Sequence, residues 1–311
     1  MTVNLILHHY PTSPFAEKIR LILGFKGLAW KSVLMPPVMP KPDLVALTGG
    51  YRRAPVLQIG ADVYCDTALI AQVLDRLHPS PALYPASAPL APLLAEWADS
   101  TLFWTVIPYT MQPIGMAALF AQRPPEAVQA FIEDRKPFSA GMKRQSVADA
   151  THRLKAALTS LDAQLAGARP FLFGADASIA DFSVAHCLWF IRRAPPVADV
   201  LTPHKHVTRW LDAMLAIGHG SSEKLASTEA LAIAQAATPL PTQVMTGQGF
   251  EAGQPVFVAA TDYGTEPSAG WLVGLAADEI VIERHDPRAG LVHVHFPRRG
   301  YALRAQTQES S

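Results

Sequence analysis

Residues 8–27 read HHYPTSPFAEKIRLILGFKG, and this stretch decides how the first part of the chain folds. A short apolar run, VNLILHH, leads into it and ends at Tyr10-Pro11. That run reads as a β-strand, and the proline closes it. Ser13-Pro14 then opens a helix: serine is a preferred N-cap, and proline suits the first helical position, where its missing N–H is not needed. Phe15, Ile19, Ile22 and Leu23 fall on one face, and Gly24 and Gly27 mark the end. Working outward, AWKSVLM (29–35) reads as a second strand and PVLQIGADVY (55–64) as a hairpin turning at Gly60. DTALIAQVLDRLH (66–78) reads as a helix with Leu69, Ile70, Val73, Leu74 and Leu77 making one stripe and Asp66 or Thr67 as its cap. The order is β-α-β, an irregular stretch, then β-β-α.

Residues 79–92 hold five prolines and read as a linker. From about 91 to 235 the chain is rich in Ala and Leu, with helical periodicity and no convincing strand. Leu154, Ala157, Leu158, Leu161 and Leu165 stripe one helix. SIADFSVAHCLWFI (178–191) opens with a capping-box pattern, Ser178 with Asp181, and is apolar on nearly every side. It is expected at the centre of an all-helical unit. A second linker follows, and over 248–307 the texture changes to short β-type runs such as QPVFVAA, GWLVGLA, EIVIERH and GLVHVHF. These predict a small antiparallel sheet or barrel.

Composition narrows the function. Lys+Arg and Asp+Glu are both 26, so there is no net charge to draw the chain to nucleic acid or an anionic membrane. No apolar run approaches the ~20 residues of a membrane span. The first residues carry no leader pattern, and the two cysteines, Cys65 and Cys187, have no paired spacing. A cytoplasmic protein is the expectation. No phosphate-binding or dinucleotide glycine motif and no nucleophile-elbow serine is present.

The ordered set of strand, Ser-Pro helix start, APVLQ and CDTALI, followed by a helical half with SIAD, resembles the cytosolic glutathione S-transferase family over residues 1 to about 235. SPFAEKIRLIL is especially similar to the serine-using tau class, and to the omega class, which has Cys-Pro-Phe at Ser13-Pro14-Phe15. The resemblance implies an α/β plus all-α chain: a thioredoxin-like glutathione-binding domain over 1–80, an all-helical domain over 91–235, and an added β domain of unknown role over 248–307. It implies a homodimer, a glutathione transferase activity, and glutathione and a small hydrophobic electrophile as partners, with no nucleic acid, membrane or metal.

Residue by residue, the resemblance casts Ser13 as the catalytic group. A helix N-terminus favours an anion, and a thiol with pKa of about 8.5 is mostly protonated at neutral pH. A hydroxyl donor at the helix end would favour the thiolate, while its lone pairs still cap the backbone. Tyr10 is the rival donor, or a substrate-site aromatic. Pro55 is the expected cis residue, with the Ala54 backbone meeting the cysteinyl part of glutathione. Arg53 is placed to reach the glycyl carboxylate, and Asp66 and Thr67 to hold the γ-glutamyl group. In the family a larger, branched residue usually precedes the cis proline, and a Glu-Ser pair stands where Asp66-Thr67 is. Trp104 and Tyr109, with Trp97, Phe103 and Met111, are candidates for the electrophile wall. Serine in place of cysteine disfavours redox exchange through a mixed disulfide. The rival expectation is a glutathione- or partner-binding protein whose β domain carries the function; isomerase or lyase work by the same thiolate is a third. His293 and His295 share one strand face, with His285 nearby, but no cysteine or carboxylate completes a recognisable metal set, so they read as paired solvent-facing histidines.

Overall fold

The structure is a computed structural model describing residues 4–138, 140, 142, 145–167 and 169–306. Residue 307, the last of the expected β domain, lies outside the described residues, as do residues 1–3, of which Val3 opens the first run. The N-terminal unit runs β1 (Ile6–His9), α1 (Pro14–Phe25), β2 (Ala29–Leu34), α2 (Pro42–Thr48), β3 (Val56–Ile59), β4 (Asp62–Cys65) and α3 (Thr67–Leu77). β1 pairs in parallel with β2 and antiparallel with β3, and β3 turns into β4. This is the thioredoxin-like arrangement expected. The irregular stretch contains α2, whose seven residues begin at Pro42 and stop at Gly49, which takes φ +76°.

α1 starts as its sequence dictates. Ser13 is extended, its Oγ accepts from the Ala16 N–H at 3.2 Å, and Pro14 fills the first helical position. The helix is buried along most of its length, including Glu17, Lys18 and Arg20. Gly24 is required by packing more than by helix ending: a Cβ there would lie 2.1 Å from the Gly218 carbonyl oxygen.

The helical unit comprises α4 (Ala91–Trp97), a π-helical turn (Ala98–Leu102), α5 (Phe103–Thr110), α6 (Pro113–Leu119), α7 (Pro125–Phe138), α8 (Val147–Gln164), α9 (Ile179–Arg192), α10 (Pro195–Ala198) and α11 (Lys205–Ala216). α9 is the buried centre, as its all-round apolar sequence predicts. Asp181 secures its start with four hydrogen bonds, accepting from the Leu172 N–H (2.9 Å), the Ser178 N–H (2.9 Å), Ser178 Oγ (3.0 Å) and Trp210 Nε1 (3.0 Å). A buried carboxylate is stable only with partners of this kind. The proline-rich linker is itself anchored: Lys26 Nζ donates to the carbonyls of His78 and Pro81, and Leu83 is fully buried.

β5 (Ser221–Lys224), inside the stretch read as strand-free, pairs in parallel with β2 and closes one sheet edge; α12 (Ser227–Ala236) follows. Beyond it, β6 (Pro255–Ala260), β7 (Ser268–Leu275), β8 (Glu279–Asp286), β9 (Gly290–Pro297) and β10 (Tyr301–Ala305) form antiparallel pairs among themselves. They do not close on themselves as a barrel. β9 pairs in parallel with β4, giving one ten-stranded sheet among the described residues, in the order β10-β6-β7-β8-β9-β4-β3-β1-β2-β5. Val256, Leu272, Ile282, Val294 and Phe296 share a core with Leu44, Leu47, Val56 and Val63 of the N-terminal unit and Leu231 of α12. No helix among the described residues is long and apolar enough to cross a membrane.

Candidate functional site

A cleft of about 670 Å³ lies where the start of α1 meets α5, α6 and α7. That volume suits a small-molecule ligand. Tyr10, Ser13, Arg53, Ala54 and Trp104 line it, as do Phe15, Phe103 and Met111.

Ser13 is 2% exposed, and among the described residues its oxygen only accepts, from Ala16, leaving the hydroxyl hydrogen undirected. The loop carrying it is fixed from beneath by Arg20, which donates to the Pro11 carbonyl (3.0 Å) and to Glu17 Oε2 (2.5 Å) and meets His9 Nδ1 (3.1 Å). Burial alone would raise the Glu17 pKa, but hydrogen bonding to His219 and the Arg20 charge bring it below the ordinary value. Glu17, Arg20 and His219 are positioning groups that the sequence reading missed. Three scattered charges become one cluster only through the fold.

The Ala54–Pro55 peptide is cis, as expected. In the hairpin Val56 pairs with Cys65, which sets Pro55 beside Asp66. Asp66 takes φ +74°, a region non-glycine residues seldom adopt, and it is held there. Its N–H donates to Tyr51 Oη (3.1 Å), its Oδ1 caps α3 by accepting from the Ala68 N–H (2.9 Å), and its Oδ2 accepts from Tyr301 Oη (3.1 Å). Thr67 is buried, and its Oγ1 accepts from Lys18 Nζ at 3.4 Å. Asp66 and Thr67 thus sit next to the cleft without lining it.

Arg53 is 8% exposed and already engaged. It pairs with Asp262 at 2.5 Å, donates to the Tyr263 carbonyl, and stacks over the Tyr263 ring at 3.8 Å. The expectation that Arg53 could reach a ligand carboxylate is corrected in part: it lines the cleft and its Nε has no hydrogen-bond partner among the described residues, but its Nη2 fastens the segment between β6 and β7. Lys41, which the sequence reading passed over, also lines the cleft. Its Nζ donates to the Arg52 carbonyl at 2.9 Å, and burial, aided by the Arg135 charge, brings its pKa down to about 8.

Tyr109 requires correction too. Its hydroxyl donates to the Val197 carbonyl at 2.8 Å within the helical core, and it does not line the cleft. A helical step of five from Trp104 turns its side chain away. Trp97 is likewise absent from the lining. Cys65 and Cys187 are fully buried, and burial pushes both thiols well above the ordinary value, in keeping with inert core residues. His293 and His295 are buried, not solvent-facing, and a carboxylate, Asp62, stands with them.

A thioredoxin-like sheet whose helix start and cis-proline corner sit beside a cleft against an all-helical unit defines the two-domain glutathione-transferase architecture. Two family models match the chain: "Glutathione S-transferase, N-terminal domain" over residues 7–82 and "Glutathione S-transferase, C-terminal domain" over 144–213. A GST-like protein from Pseudomonas syringae is similar over 98% of this chain and 100% of its own, with 44% identity and a TM-score of 0.82. The chain belongs to the glutathione S-transferase family. Two further structures share the fold alone. Glutathione S-transferase III in its apo form is 23% identical over 68% of this chain and 92% of its own, TM-score 0.52. A glutathione S-transferase from Methylobacterium radiotolerans, in complex with glutathione sulfonate, is 20% identical over 71% of this chain and 97% of its own, TM-score 0.50. No curated protein matches the chain.

Proposed function

We propose that the protein binds glutathione beside the start of α1 and activates its thiol for attack on a small apolar electrophile held against Phe15, Phe103, Trp104 and Met111. The observation that carries this reading is Ser13. It is a buried N-cap lining the cleft, and its hydroxyl hydrogen is free to donate to a sulfur. The end of α1 supplies partial positive charge, and the hydroxyl a hydrogen bond, where the thiolate would form.

In the reaction the thiol proton leaves to solvent and the sulfur lone pair forms the new S–C bond. The electrophile's leaving group departs with its bonding pair, or, in an addition, the electrons move onto the acceptor carbon framework, which takes a proton from solvent. Cis-Pro55 turns the Ala54 backbone toward the cysteinyl part. Asp66, with its carboxylate at the start of α3, takes the γ-glutamyl ammonium, with Thr67 beside it. Lys41, on the same cleft wall, offers a cation for the glycyl carboxylate, since Arg53 is committed to Asp262. The reading extends to a cytoplasmic homodimer, by likeness to the family.

The test is glutathione-dependent turnover of a panel of aryl halides and activated alkenes, with glutathione affinity measured in parallel. Saturable turnover with micromolar to millimolar glutathione supports the proposal. Binding with no turnover of any electrophile would favour the rival, a binding protein, and no glutathione binding would reject both.

A further inference from the structure

At the seam between the thioredoxin-like strands and the C-terminal strands, three cross-strand pairs join β4 to β9: Asp62 with His293, Val63 with Val294, and Tyr64 with His295. On the far side of β9, His293 also pairs with Glu283 of β8. Alternation along β9 puts His293 and His295 on one face, two residues or roughly 6–7 Å apart, and their ring centroids are 6.4 Å apart. We propose that Asp62, His293 and His295 form a binding site for a divalent transition-metal ion of the zinc type, which clamps β4 to β9.

Four observations support this. All three residues are buried, at 2%, 8% and 6% exposure, and one donor atom from each lies within 4.8 Å of the others. His295 Nε2 and Asp62 Oδ1 are 3.0 Å apart, a few tenths of an ångström short of the roughly 3.3–3.6 Å edge of a tetrahedron with metal–ligand bonds of roughly 2.0–2.2 Å. The other nitrogen of His295, Nδ1, lies 2.8 Å from Glu279 Oε1. That is the carboxylate-behind-histidine arrangement that orients metal ligands. Finally, His293 Nδ1 is buried with no hydrogen-bond partner among the described residues, while its Nε2 lies 3.6 Å from Glu283 Oε2. A buried ring nitrogen left unpaired is costly, and a metal would satisfy it with Glu283 placed behind the second histidine as Glu279 is behind the first.

Two imidazoles and one carboxylate suit zinc and its neighbours over magnesium or calcium, which prefer all-oxygen sets. Asp62 opens β4 and Asp66 follows its last residue, Cys65, roughly 13 Å further along the strand direction. The site is therefore separate from the proposed thiol chemistry and does not depend on it. Its consequence is mechanical: it ties the C-terminal strands, which hold Arg53 and Asp66 through Asp262 and Tyr301, to the sheet that carries the cleft.

The test is equilibrium dialysis of the full chain against micromolar Zn²⁺, with metal analysis, for the wild type, His293→Gln and Asp62→Asn. One equivalent retained by the wild type and lost from both variants is expected, together with a zinc-dependent rise in melting temperature of about 5 °C or more in the wild type only. Should a variant fail to fold, tetrahedral Co²⁺ absorption by the wild type decides. No retention, retention only at millimolar metal, equal retention in the variants, or octahedral cobalt spectra would overturn the site and leave the cluster as a set of hydrogen-bonded ion pairs.

Discussion

Lys18 gives the sharpest test of how the two units are held together. Its side chain is 1% exposed, and its ammonium donates to Asp99 Oδ2 at 2.5 Å and to Thr67 Oγ1 at 3.4 Å. Asp99 also meets His186 at 2.9 Å and accepts from Ser183 at 3.2 Å. One ion pair thus spans α1, the start of α3, the π-helical turn and α9. Burial would raise the Asp99 pKa, but the Lys18 charge and the His186 hydrogen bond hold it below the ordinary value, so the carboxylate stays charged. Lys18→Met keeps the length of the side chain and removes the charge. Breaking one side of a buried pair costs about 3–5 kcal/mol because the survivor is stranded. Asp99 retains His186 and Ser183, which places the loss near the lower end, about 3 kcal/mol. In Lys18→Met/Asp99→Asn no charge is stranded. The two single losses should therefore exceed the double loss, with a coupling of about 2 kcal/mol, within the range for residues in contact. Urea unfolding of the four proteins measures this, and glutathione affinity should weaken in Lys18→Met as Thr67 loses its donor. Additive losses, with coupling within about 0.3 kcal/mol of zero, would refute the reasoning.

Acid should destabilise the protein well above the carboxylate range. His8 is buried beside Gln58, and burial brings its pKa from 6.5 down to about 4, only partly opposed by that hydrogen bond. The folded state thus prefers neutral imidazole. Its contribution is complete above pH 6.5 and is lost as the pH falls from there toward 4, about 2 kcal/mol of it between pH 7.5 and 5. His8→Gln should show a correspondingly flatter pH dependence in urea unfolding; parallel profiles would exclude His8. At the centre of the helical unit, Asp181→Asn turns one accepting oxygen into a donor facing the Ser178 N–H. With donors left unpaired at about 1–3 kcal/mol each, the midpoint of thermal unfolding should fall by several degrees, while Ser178→Ala, which leaves the Leu172 and Trp210 bonds to Asp181 intact, should cost less.

What could be read from the sequence was local. Ser13-Pro14 sets a helix start by its own chemistry, the stripe from Leu69 to Leu74 needs no partner to be recognised, and Ser178 with Asp181 announces a helix that is buried. The cis form of Ala54–Pro55 came only through the resemblance. The strands after residue 250 were recognisable, but their partner was not. The Val292–Phe296 alternation says that one face is buried without saying against what, so the parallel seam with β4 was invisible. The same blindness hid Asp62 from His293 and His295, 231 and 233 positions away. It also hid Asp262 from Arg53. α2 escaped notice because seven residues carry too little periodicity. Tyr109 was misplaced because aromatic spacing on a helix does not tell a cleft wall from a core.

The central claim is that Ser13 holds a thiolate. It is tested most directly by following the ultraviolet absorbance of bound glutathione through a pH titration, in the wild type, Ser13→Ala and Tyr10→Phe. The bound thiol is expected to ionise one to two units below its ordinary value of about 8.5 in the wild type and in Tyr10→Phe, and to return to that value in Ser13→Ala. An unshifted thiol in the wild type, or a shift that survives Ser13→Ala and is lost in Tyr10→Phe, would contradict it.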